Sequence, residues 1–451
     1  MKVENIQNFF EERKLSRYQL LTFLLCGLVV FLDGFDTLAI GYVAPSLMSE
    51  WGVTKMALGP VFASSLVGLM IGALFFGPLA DRFGRKPVLV TSVVMFGLFT
   101  LLTAMSRGIV ELSVLRFLTG LGLGGAMPIA VALTSEYAPS RIRSTVVMIM
   151  FCGFSLGGGA GGMLAARIIE DYGWHSVFVV GGVQPVLLAI WLMFSLPESV
   201  RYLAVTKKSN HLIAKILRKM DPRVAYDSDT RFTVHEEKPA GFPVVALFRD
   251  NRAMLTVLLW FMFFMSLFQI FFVSNWMPTI LGSNGIPREN ALMITAMFPI
   301  GGTIGTLVLG RFVDTRRPYM VIALVYFAAA AFVGALGLIG GSSYTLLAVC
   351  AFAAGFCSIG AQVGTNALAA AAYPTMIRST GVGWALGIGR IGAIISALLS
   401  GFLLSLQLSI SEAFLIGAVP MFLAALTAML LNMQGKNHRL GGGVTLSKAD
   451  V

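Results

Sequence analysis

Twelve apolar runs divide this chain of 451 residues. They cover about 20–42, 57–80, 88–105, 109–136, 145–167, 175–196, 254–281, 290–313, 318–340, 344–372, 380–407 and 411–432. A hydrocarbon core about 30 Å thick takes about 20 helical residues to cross. A helix also satisfies its backbone donors and acceptors within one segment, which lipid requires. The runs therefore predict an all-α integral membrane protein with about twelve transmembrane helices. Composition points the same way, with 57% hydrophobic and 12% charged residues, where soluble proteins carry about 25% charged. Soluble enzymes, disordered chains, collagens and disulfide scaffolds are excluded.

The first run is too long for a signal-peptide core, and no small-residue cleavage pattern follows it. It reads as an uncleaved span. Cys26, Cys152, Cys350 and Cys357 all lie inside apolar runs with no Cys-x-x-Cys spacing. They read as small core residues, so neither a disulfide nor a metal site is expected. The four His lie outside the runs. There is no Gly-x-x-x-x-Gly-Lys-Ser/Thr loop for ATP. No cofactor and no covalent chemistry are expected.

The net charge of +11 sits in short segments between the runs. It therefore reads as membrane orientation, not nucleic-acid binding. If the N-terminus is cytoplasmic, segments on that side hold 27 of the 33 Lys and Arg. Both termini are then cytoplasmic. The chain divides into an N-terminal segment 1–19, a six-helix half 20–197, a polar central loop 198–253, a second six-helix half 254–432 and a tail 433–451.

The halves echo each other. Gly77-Pro-Leu-Ala-Asp81-Arg82-Phe-Gly84-Arg85-Lys86 follows span two, and Gly310-Arg-Phe-Val-Asp314-Thr-Arg-Arg317 follows span eight. Ile142-Arg143-Ser-Thr145 and Ile377-Arg378-Ser-Thr380 follow spans four and ten. The offsets, 233 and 235 residues, nearly agree. Parallel six-helix repeats are a transporter architecture, with the binding site near mid-membrane between them.

The loop from Gly77 to Lys86 resembles the signature of the major facilitator superfamily, as do Arg116-Phe-Leu-Thr-Gly120 through Pro128 in span four and Leu196-Pro-Glu198-Ser199 after span six. Asp33-Gly-Phe-Asp36 with Ala44-Pro-Ser-Leu47 looks like the first-span signature of its aromatic acid:proton symporters. Glu136-Tyr137, Tyr172-Gly-Trp-His175 and Trp384-Ala-Leu-Gly-Ile-Gly-Arg390 resemble that group too, particularly its 4-hydroxybenzoate/protocatechuate transporters. The likeness covers nearly the whole chain. It implies the major facilitator fold in a bacterial inner membrane, acting as a monomer. It also implies alternating-access import of a small aromatic carboxylate with protons. Rival readings are proton-coupled transport of another organic acid or a sugar, an efflux antiporter, and a non-transporting sensor.

Asp33 and Asp36 share one face of span one at i and i+3. Each charge at a helix centre costs roughly 2.5–3.5 kcal/mol. A carboxyl that takes a proton in one conformation and releases it in another is what proton coupling needs; the alternative is a static ion pair. Arg116 in span four lies at a depth matching Asp36, so the two can pair; otherwise Arg116 snorkels to the interface. Glu136, at the inner end of span four, is counted with this proton-coupling set and also stands near the loops.

Arg390 lies about 15 Å into span eleven. It is a candidate clamp for a substrate carboxylate or a counter-charge to Asp33. Phe268, Gln269 and Asn275 in span seven, Gln362 and Asn366 in span ten, and Trp384 are candidate ring and hydroxyl contacts; alternatives are packing and interhelical hydrogen bonds. Gly77, Asp81, Arg82, Gly84, Arg85, Lys86, Asp314 and Arg378 form a candidate gate, which the resemblance implies latches the outward-open state. In that reading Gly77 permits close helix approach and Asp81 caps a neighbouring helix. The alternative is that these charges only set topology.

Overall fold

The computed structural model describes residues 3–11, 13, 15–206, 210–221, 231–233, 244–249, 252–309, 318–340, 343–373, 377–406 and 408–441. Twelve of its helices are long and apolar enough to cross a membrane. Strand β1 (Val3–Asn5) and helix α1 (Ile6–Glu11) precede the first six, α2 (Arg17–Trp51), α3 (Lys55–Phe83), α4 (Arg85–Thr103), α5 (Ile109–Tyr137), α6 (Ser140–Tyr172) and α7 (His175–Ser195). Two short helices, α8 (Val200–Val205) and α9 (Asn210–Met220), and strand β2 (Arg231–Thr233) follow. The second six are α10 (Ala253–Ser283), α11 (Arg288–Leu309), α12 (Pro318–Ile339), α13 (Tyr344–Ala372), α14 (Arg378–Ser405) and α15 (Ile410–Gly441). Six crossings per half return the chain to its starting side, so both ends of the chain and the central loop share one end of the bundle. We call this the terminal end and its opposite the far end.

The helices start and stop where side chains can replace lost backbone bonds. Ser16 and Gln19 form a reciprocal capping box on α2, and Thr54 and Ser343 cap α3 and α13. The first span outruns its apolar stretch: α2 continues through Pro45 to Trp51. Membrane helices tolerate such prolines because neighbours satisfy the freed backbone groups.

The sequence echo has a structural counterpart. In the first half α3 packs on α5, α2 on α6 and α4 on α7; in the second α11 packs on α13, α10 on α14 and α12 on α15. Between halves α2 meets α10, α3 meets α14 and α6 meets α11.

One apolar core at the far end draws on both halves, with Tyr42, Phe62 and Trp174 beside Trp276, Phe298 and Phe414. At the terminal end there are two separate cores, one of the first half with the N-terminal segment, α8 and α9, and one of the second half with Leu247. The molecule is shut at the far end and parted at the terminal end. Close backbone approach makes the seal: at Gly41 a Cβ would stand 2.9 Å from the Cα of Asn275. The edge of Phe62 also meets Trp276 across the halves, with centroids 5.0 Å apart.

The central loop carries more structure than its polarity suggests. Tyr202, Leu203, Ile213, Leu217 and Met220 of α8 and α9 bury their apolar faces in the first half's terminal core, with Phe9 and Phe10 of the N-terminal segment. Strands β1 and β2 pair in parallel there.

Candidate functional site

Asp36 and Arg116 are both fully buried. Arg116 Nη2 donates to Asp36 Oδ2 at 2.6 Å and to the Asp36 carbonyl at 3.2 Å, while Nη1 donates to Oδ1 at 3.1 Å. A planar fork is suited to this two-oxygen grip. Thr100 of α4 donates to the same Oδ1 at 2.6 Å. The Phe178 ring lies 5.5 Å from the guanidinium carbon. Asp36 thus has donors from two other helices, while Arg116 Nε is buried without a partner among the described residues.

Asp33, one turn earlier, is held loosely. Thr37 donates to its Oδ1 at 3.1 Å, and its buried Oδ2 has no partner. Helix register sets it opposite Arg390. Gly41 abuts Asn275, so Asp33, about 12 Å back along α2, is level with the Leu267 region of α10. Gly389 and Gly392 of α14 pack on Phe263 and Phe264, which brings Arg390 to that level from the other side. Asp33 and Arg390 act on each other electrostatically across the interface. Arg390 is half-buried and makes no hydrogen bond or close ion pair with the described residues.

Two other candidate residues carry buried polar atoms without partners among the described residues. Both amide atoms of Gln269, 0% exposed, lack partners. Gln362 donates to Asn366 at 3.2 Å, but its own carbonyl is unpaired. Such orphans are costly in an apolar setting. Phe264 and Phe268 stack at 6.4 Å, and Trp384 stacks on Trp260 at 5.8 Å nearer the terminal end. Asn275 stands apart from this group, at the far-end seal.

Glu136 lies about 30 Å along α5 from Arg116 and belongs with the loops. Arg85 binds it at 2.8 Å, and Ser199 donates to its other oxygen. Glu198, not Asp81, caps α4: its Oε1 accepts from the backbone N–H groups of Arg85 and Lys86 at 2.9 and 3.1 Å. Gly84 adopts φ 111°, and a side chain there would strike the Glu198 carboxylate. Asp81, with its side chain 76% exposed, reaches only Arg85 at 3.9 Å. Gly77 contacts nothing that a Cβ would disturb. Both differ from the close-packed latch expected of this motif, because the terminal ends are apart here. Arg82 contributes its carbonyl to the Tyr202 hydroxyl at 3.0 Å. Arg378 reaches back to the Tyr373 carbonyl at 3.4 Å. Asp314 lies outside the described residues.

Sequence reasoning passed over Thr100, Thr37 and Phe178. A hydroxyl or a ring inside an apolar run carries no local signal of its partner. Glu198 was visible within its Pro-Glu-Ser motif, but its role as a helix cap was not.

The family profile of the Major Facilitator Superfamily matches residues 26–340 and 259–443. The chain is 44% identical to the 4-hydroxybenzoate transporter PcaK of Pseudomonas putida over 422 residues, 93% of this chain and 94% of that protein. It is 44% identical to the gallate transporter of Pseudomonas putida over 429 residues, 95% of each. Among solved structures it is similar to the xylose transporter XylE from E. coli in a partially occluded inward open conformation, with TM-score 0.70 at 19% identity over 92% of this chain and 98% of that one.

Proposed function

The chain belongs to the major facilitator superfamily, and from that premise we propose that it imports small aromatic carboxylates of the 4-hydroxybenzoate, protocatechuate and benzoate class together with protons. The relatives named for 4-hydroxybenzoate and gallate support the substrate class. The observation that carries the reading is Arg390, a guanidinium at the level of Asp33 that makes no hydrogen bond or close ion pair among the described residues.

In this proposal the substrate carboxylate binds Arg390 as a bidentate partner. The ring lies toward Phe264 and Phe268, and a ring hydroxyl reaches the open amides of Gln269 or Gln362. Charge balance supplies the coupling. Arg390 and Asp33 together are neutral; a bound anion leaves the site one negative charge in excess. A proton on the loosely held Asp33 restores neutrality. Asp36, gripped by Arg116 and Thr100, remains the fixed counter-ion that shapes α2. The terminal end faces the cytoplasm of a bacterial inner membrane, as the Lys and Arg bias supports. The gate residue Arg85, with Glu136, Glu198 and Ser199, ties α4 and α5 to the start of α8, and the protein works as a monomer.

The test is uptake of radiolabelled benzoate, 4-hydroxybenzoate, protocatechuate, vanillate and gentisate into proteoliposomes under an imposed pH gradient. Accumulation of at least one acid that collapses with a protonophore is expected. Absence of uptake of all five, with sugar or aliphatic-acid uptake present, overturns the reading.

A further inference from the structure

A cavity of about 320 Å³ opens at the far end, remote from Arg390. Both halves build it: Pro45 and Lys55 on one side, Pro278, Thr279, Ser283 and Arg288 on the other. Two cations line it, and no carboxylate does. Lys55 and Arg288 open α3 and α11, so the positive ends of two helix dipoles converge there as well. Lys55 Nζ already crosses the interface to Ser283 Oγ at 3.4 Å. A further feature is independent of these charges. Thr279 is 3% exposed, lines the cavity, and its hydroxyl has no hydrogen-bond partner. Two prolines give the cavity apolar walls, and its size is at the small end for ligand sites, enough for a single-ring acid.

We propose that this cavity is a second carboxylate site, on the face opposite the termini, where a small aromatic acid bridges Lys55 and Arg288 and holds the far end shut. The ligand class rests on the transport reading above; the site does not. Its ring lies on Pro45 and Pro278, and its carboxylate takes Lys55, Arg288 and the Thr279 hydroxyl. The cavity exists only while the halves touch, because each half supplies one cation. A ligand that binds one conformation stabilises it. External acid at high concentration therefore retains the far-closed form and slows further import.

The experiment uses 4-hydroxybenzoate with the full-length protein. Equilibrium binding to purified wild type should show two sites of unequal affinity. Arg390→Ala should remove the tighter one, and Lys55→Gln/Arg288→Gln should weaken the other at least about tenfold, the loss of one charged hydrogen bond. Initial uptake by wild type should rise and then fall as external substrate increases. The double variant should keep the rise and lose the fall, and Lys55→Arg should retain it. Uptake at low substrate shows that the double variant is folded. A single site lost with Arg390→Ala, or a fall that persists in the double variant, overturns the second site and leaves the transport reading intact. Binding that depends on Lys55 and Arg288 in a protein that transports no aromatic acid overturns the transport reading and upholds the cavity.

Discussion

Arg116 grips both carboxylate oxygens of Asp36, at 2.6 and 3.1 Å, and the backbone carbonyl of the same residue at 3.2 Å. The side chain and the main chain of α2 are thus fastened to α5 at one point. Removing either partner strands a charge in a fully buried position. Arg116→Gln is expected to cost about 3–5 kcal/mol of stability, read as a lowered melting temperature in detergent. Asp36→Asn/Arg116→Gln should regain most of that loss, because it leaves no uncompensated charge. A double variant no more stable than Arg116→Gln would show that the pair is not the source of the loss.

Asp33 separates coupling from binding. Its carboxylate has one hydrogen bond, from Thr37, and one open oxygen, so Asp33→Asn removes little structure. The variant should still bind substrate and exchange it across proteoliposome membranes. It should no longer accumulate substrate against a gradient when a pH difference is imposed. Accumulation at the wild-type level would take Asp33 out of the proton path.

For Arg390 the informative comparison is between ligands. Arg390→Ala should weaken binding of a ring acid by tens- to thousands-fold, the equivalent of about 2–5 kcal/mol for a buried charge pair. The matching uncharged amide should lose far less. Arg390→Lys keeps the charge without the planar fork and should fall between. Equal losses for acid and amide, with partial rescue by Asp33→Asn, would make Arg390 a counter-charge to Asp33 instead of a clamp.

Gly41 tests the far-end seal. With only 2.9 Å between a Cβ there and the Asn275 Cα, Gly41→Val should keep α2 and α10 from closing. A cysteine placed in the central cavity should then react faster with an impermeant reagent from the far side and more slowly from the terminal side. Unchanged labelling from both sides would show that the seal does not depend on that contact.

The loop residues divide by what they touch. Glu198→Ala removes the cap of α4 and should cost about 0.5–2 kcal/mol. Asp81→Asn alters an exposed side chain and should leave the stability of this conformation within about 0.5 kcal/mol. Asp81→Asn should nevertheless slow transport by shifting the balance of inward and outward forms. The measurements are thermal melts and uptake rates on the same preparations, and a larger melt shift for Asp81→Asn than for Glu198→Ala would reverse the assignment.

The architecture was legible because hydropathy at twenty-residue length, the repeated Ile-Arg-Ser-Thr motif and the degenerate second copy of the 77–86 loop at 310–317 are all local signals. Asp36 and Arg116 were legible as partners because two charges at matching depth in lipid have few alternatives. Glu136 was legible at the inner end of span four near the loops, but its partners there, Arg85 and Ser199, were not. The helical order of α8 and α9 was hidden because their apolar faces are short and their polar residues dominate the composition. Thr100 could not be found at all, since nothing in span three distinguishes it from Thr91, Ser92 or Thr103, the last of which bonds its own backbone.

The single far-end core and the two separate terminal cores make the two faces of the carrier unequal toward their solutions. In the proposed mechanism, a molecule arriving from the terminal side binds the form in which the halves are parted on that side. One arriving from the far side binds only the fraction of protein open in that direction, and its apparent affinity falls in proportion to that fraction. Half-saturation constants measured from the two faces should therefore differ even when the intrinsic site is identical. That difference does no work. At equilibrium the ratio of substrate concentrations is fixed by the protons moved with it, so the seal sets how fast and from which side the carrier loads, and leaves the limit of accumulation untouched.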